Sequence, residues 1–151
     1  AFTAPKGSGS TPMIHAELMF VDGETKDEVL GEACSIHYNG KVFLADKRFS
    51  RDSWSFRQVQ CSQKEIEKAY EFCKQNVGKP FNKVAYFTTP FCSAHHLPFT
   101  HDRFFCSQIV GNALLCANVD VVPDQHPHAL YQSLLSITTP CCPKGIGEMR
   151  F

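Results

Sequence analysis

Apolar and polar positions along the chain follow two periods in succession. Between 13 and 21 they alternate: Ile14, Ala16 and Leu18 face one way, His15, Glu17 and Met19 the other, the period of two that marks a strand. Asp22-Gly23 begins a turn, and the charged run to Glu28 reads as its solvated loop. Residues 32–38 and 41–45 are two further expected strands, joined by Asn39-Gly40; Asn-Gly between apolar runs is a strong hairpin signal. Residues 53–59 alternate again, with Trp54, Phe56 and Gln58 on one face.

The period then lengthens to that of a helix. Ser62-Gln63-Lys64-Glu65 has the form of a capping box, and Ile66, Ala69, Tyr70, Cys73 and Val77 make a stripe that Gly78 and Pro80 end. A short helical segment is expected at 81–87. Residues 88–104, with three histidines and few aliphatics, read as a long loop of the kind that often carries function. A helix from 106 to about 118 buries Ile109, Val110, Ala113 and Leu114 on one face, and another is expected at 128–137, entered at Pro127. Residues 1–12 are small and polar, a flexible lead-in, and 138–151 read as an irregular tail. With no repeat or linker to divide it, 13–137 is expected to be one α+β domain, an antiparallel β-meander packed against helices.

Composition narrows the function classes. The chain has 151 residues, 43% of them hydrophobic, enough for one real core. Its net charge of zero and pI near 7.2 give no electrostatic footprint for nucleic acid or an anionic membrane surface. No apolar run approaches the length of a membrane span. There are eight cysteines, but Cys34, Cys73, Cys106 and Cys116 lie inside apolar periodic segments rather than at the spacings of a stapled secreted domain. Reduced thiols in a cytoplasmic compartment are therefore expected.

Cys106 stands just before the apolar run of its helix. Unpaired backbone N–H groups and the helix dipole favour a negative charge there, and such positions lower a cysteine's pKa. A cysteine hydrolase also needs a base beside the thiolate and a group that orients the base. His15, on the first expected strand and sharing a face with Glu17, is the best of the seven histidines for the base. If strands 13–21 and 32–38 pair antiparallel, residues 35–38 lie opposite His15. His37 is then the first candidate for the orienting group. Glu17 follows, because residues i and i+2 of a strand only lie side by side about 6–7 Å apart, a spacing that suits Glu17 better to a basic partner or a substrate contact, and Ser35 comes third. Ser107, next to the thiol, is a further secondary candidate. The N–H of Cys106 is the natural first oxyanion donor.

The chain at this point resembles a known family. His15-Ala16-Glu17-Leu18-Met19-Phe20 with Asp22-Gly23 is similar to the opening motif of circularly permuted NlpC-type papain-fold hydrolases, known in phages and large DNA viruses. Trp54-Ser55-Phe56 resembles that family's Trp-x-Phe strand, and Val77 to Asn82 its Gly-x-x-Tyr-Asp segment. Phe105-Cys106-Ser107-Gln108-Ile109-Val110 resembles its Phe-Cys-Ser-Glu-hydrophobic motif, with Gln108 in place of Glu, and Pro127 to Leu134 its trailing helix. The motifs occur in the family's order over about 13–135. The resemblance implies a permuted papain-like fold with Cys106 as nucleophile and His15 as base. It also implies a viral protein, in host cytoplasm or virion, that cleaves a peptide, isopeptide, amide or acyl ester bond. The family's third polar residue varies, so His37, Glu17 and Ser35 stay open. Such a hydrolase needs no cofactor and no metal; its partner is a protein, peptide or acyl substrate.

Two rival readings use other features. Cys92, His95, His96, His101 and Cys106 lie within fifteen residues and offer a tetrahedral zinc set, such as Cys92, His95, His101 and Cys106. Alternatively, the domain is an inactive papain-like binding module.

Overall fold

The computed structural model describes residues 15–83 and 103–137, together with the backbone of 139–140 and 148–150. It is an α+β structure. Strands β1 (Leu18–Glu24), β2 (Glu28–Ile36) and β3 (Val42–Ser50) form the expected antiparallel meander, with Leu18 opposite Cys34 and Cys34 opposite Leu44. β4 (Arg57–Gln60) is followed by helices α1 (Gln63–Asn76), α2 (Cys106–Cys116) and α3 (Pro127–Leu134), then by β5 (Thr139–Pro140) and β6 (Glu148–Arg150). The six strands form one sheet in the order β3-β2-β1-β6-β4-β5.

Several boundaries differ from the sequence pattern. The charged run Asp22–Glu28 is mostly strand: β1 continues to Glu24, β2 begins at Glu28, and Thr25 closes the turn through its backbone N–H, which donates to Glu28 O. The strand can continue because the register shifts between Val21 and Gly23, a bulge that absorbs one residue. The first strand starts later than expected, at Leu18, so His15 and Glu17 stand ahead of it. Of the stretch 53–59, only its end is strand; the N–H groups of Ser53 and Trp54 turn back to Ser50 O instead. The tail expected to be irregular contributes β5 and β6. Residues 1–12, 84–87 of the short helix expected at 81–87, and 88–102 of the long loop lie outside the described residues. The start of that helix, Phe81, bridges Phe104.

The sheet has two packed faces. Leu18, Cys34, Ile36 and Val42 meet Ala69 and Cys73 of α1 and Ile109, Val110, Ala113 and Leu114 of α2 in the main core. Met19, Val29, Ala33 and Phe49 point the other way, and the chain returning through Trp54 and Phe56 packs against them. At the entry to α1 the Ser62 side chain accepts from Glu65 N, while Glu65 accepts from Ser62 N, so the capping box is complete. No helix among the described residues is long and apolar enough to cross a membrane.

Candidate active site

Three segments meet at the end of the sheet where β1 begins. Ser35, in β2, donates its hydroxyl to Ala16 O at 2.6 Å and so ties down the chain just ahead of β1. Continuing the β1–β2 register places His15 opposite His37, just past the end of β2. The two rings stack, with centroids 5.3 Å apart and planes at 22°. Trp54 meets the His15 ring edge-on at 6.2 Å. His15 is therefore held between an aromatic edge and a second imidazole, with its side chain 26% exposed.

The hydrogen bonds of His15 fix its chemistry. Its Nε2 lies 3.1 Å from Glu17 Oε1, and the carboxylate is buried, its side chain only 3% exposed. His15 also hydrogen-bonds the Cys106 side chain. Burial by itself pushes the imidazole pKa down; the bonds to Cys106 and Glu17, and the negative charges of both, outweigh it and raise the pKa from 6.5 to about 9. Beside an ionised Cys106 and Glu17, His15 keeps its proton at neutral pH. Burial would raise the Glu17 pKa, but its bonds to His15 and Lys47 and their charges pull it below the usual carboxylate range. His37 is held below an ordinary histidine, first by burial and then by the charges of His15 and Lys47, so it stays neutral at pH 7.

Cys106 is the first residue of α2, after the cap residue Phe105, and is buried. The first N–H groups of the helix to find acceptors are those of Gln108 and Ile109, both on Phe105 O. Those of Cys106 and Ser107 precede them in the first turn of the helix. The Ser107 hydroxyl donates to Gln125 O, and Gln108 Nε2 donates to Asp124 Oδ1 at 2.7 Å. Both side chains thus anchor the segment before α3. A glutamate at 108 would set a second carboxylate against Asp124.

The sequence-derived candidates therefore separate. His15 and Cys106 come together. His37 stacks on His15, but it is Glu17 that takes the hydrogen bond to the ring. The side-by-side spacing that set Glu17 second applies to a pleated strand, and residues 15–17 precede β1. Ser35 tethers backbone, and Ser107 faces Gln125. The zinc set involving Cys92, His95, His96 and His101 lies outside the described residues.

One residue the sequence pattern passed over is Lys47. Its Nζ lies 3.0 Å from both Glu17 oxygens and 4.1 Å from the centroid of the Phe43 ring. A lysine in phase with Phe43, Ala45 and Phe49 was the available signal. It also bears on metal binding. His15, Glu17 and His37 offer donor atoms all within 4.8 Å of one another, but the ammonium of Lys47 already covers both oxygens of the carboxylate. Comparison of the chain with protein-family models, with curated proteins and with solved structures finds no match.

Proposed function

We propose that this chain is a cysteine hydrolase of the circularly permuted, NlpC-type papain-like kind, with Cys106 as nucleophile, His15 as general base and acid, and Glu17 as the group that orients His15. One observation carries the reading: a single imidazole hydrogen-bonds a helix-start cysteine and a buried carboxylate together. That is the relation among nucleophile, base and orienter that acyl transfer requires. The stacked His37 and the edge of Trp54 restrict the ring to one orientation.

The reaction follows from these positions. The Cys106 thiolate attacks the carbonyl carbon of a peptide, isopeptide, amide or acyl ester. The carbonyl π electrons move to oxygen, where the N–H groups of Cys106 and Ser107 stabilise the charge. As the intermediate collapses, the His15 imidazolium gives its proton to the departing amine or alkoxide and an acyl-thioester remains. Water then loses a proton to His15 as it attacks the thioester, and the thiolate leaves. Glu17 holds one ring nitrogen throughout, which leaves the other for this exchange. Five described cysteines are free thiols, which fits a reducing, cytoplasmic setting for a thiolate enzyme.

Iodoacetamide labelling followed by peptide mass spectrometry tests the reading. Cys106 is expected to react faster than Cys34, Cys61, Cys73 and Cys116 near pH 7, and His15→Ala to slow it about tenfold or more. A Cys106 rate that matches the other thiols and ignores His15→Ala would defeat the proposal.

A further inference from the structure

Glu17 is almost fully buried, and His15 is one of two cations on it. Lys47 Nζ reaches Oε1 and Oε2 at 3.0 Å each, so Oε1 is shared with His15 and Oε2 belongs to Lys47 alone. Lys47 starts two strands away, in β3 opposite Gly31 of β2. The next pair on that face is Ala45 and Ala33, so its stem passes small side chains on the way to Glu17. Phe43 and Phe49 lie beside the ammonium, 4.1 and 5.7 Å from it by ring centroid. His37 lies against Phe43, with ring centroids 4.9 Å apart. A surface lysine that merely drifted onto a carboxylate would have no such lane and no aromatic walls.

We infer that Lys47 is a positioning residue of this site: its ammonium is the permanent counter-ion of Glu17, keeping that carboxylate ionised and aimed while His15 gains and loses its proton. The inference rests on the hydrolase reading above and extends it. His15 must surrender its proton to the leaving group in each turnover. At that moment a buried Glu17 with no other cation would face an uncompensated charge, and it would either take a proton itself or hold the imidazolium too tightly for it to act as an acid. With Lys47 in place the carboxylate stays charged in both states. The titratable groups around it are His15 ahead of β1, His37 after β2, Lys47 on β3 and, through His15, Cys106 on α2. Among them Lys47 supplies the cation that the reaction does not consume.

The full-length protein, labelled with ¹³C at glutamate carboxyls, tests this by NMR. In His15→Ala, where Lys47 is the remaining cation, Glu17 is expected to titrate below an ordinary glutamate. Adding Lys47→Met should move it up by about one pH unit or more, a tenfold change in proton affinity. Lys47→Arg in the same background should bring it back down, and Lys47→Gln serves if the methionine variant fails to fold. A second readout uses the alkylation of Cys106 by iodoacetate, an anionic reagent whose rate falls as His15 loses its proton. Lys47→Met alone should shift this basic limb upward by about half a unit, threefold in proton affinity. Identical Glu17 titrations with and without Lys47, or a basic limb that does not move, would overturn the role. Slow Cys106 labelling in the unsubstituted protein would instead fault the hydrolase reading.

Discussion

His15 links the site to the stability of the molecule. Its pKa is about 9 when folded against an ordinary 6.5 in the unfolded chain. The folded state therefore binds this proton more tightly. The resulting stabilisation is complete below about pH 6.5 and is lost as pH rises through 9. His15→Gln is accordingly expected to cost more at pH 6 than at pH 10, by something on the order of 1–3 kcal/mol. Urea midpoints of the two proteins at both pH values measure it, and a cost independent of pH would contradict the raised pKa. At this scale the sequence marks candidate residues but not how they connect. Cys106 is legible from a helix start, and His15 from the alternating pattern, though it stands ahead of β1 rather than on it. Ideal strand spacing favours His37 over Glu17, but residues 15–17 precede β1 and are not held to that spacing. Lys47 was passed over because its partner lies two strands away, a relation that sheet register fixes and local pattern does not.

The elements were easiest to read where local chemistry dictates them. The capping box at Ser62 and the positive φ of Gly78, at +88°, bound α1 much as the sequence suggests. Strand ends were harder, because the bulge between Val21 and Gly23 and the backbone tether from Ser35 are tertiary devices. The helix bearing Cys106 has a close contact of its own. A Cβ on Gly111 would lie 2.6 Å from Pro123 Cα and 3.0 Å from Pro123 O, both backbone. Ser107 and Gln108 bind Gln125 and Asp124 on the same segment. Gly111→Ala would raise helix propensity by about 1 kcal/mol on its own, yet it should destabilise the protein by about 1–3 kcal/mol because the backbone it meets cannot yield cheaply. Chemical denaturation decides the sign; a gain in stability would show that the 123–125 segment moves aside.

For the molecule as a whole, the α+β class followed from the order of periods along the chain, but the sheet order did not. β6 lies between β1 and β4, with Phe20 opposite Met149 and Val59 opposite Met149 from the other side. It joins the meander to the second half of the sheet. Ending the chain after residue 147 should separate β4 and β5 from the meander, with loss of a single cooperative unfolding transition in calorimetry. A truncated chain that melts as sharply as the intact one would show that the two halves hold together through the helices alone.

The position of β6 also sets an order in time. A chain made from its N-terminus completes β1, β2 and β3 early, yet the free edge of β1 has no neighbour until residues 148–150 are synthesised. Until then that edge presents unpaired N–H and C=O groups beside the apolar Leu18, Met19 and Phe20. A nascent chain stalled between residue 50 and residue 148 is therefore more prone to strand-pair with its neighbours than either a chain that includes β6 or a much shorter fragment.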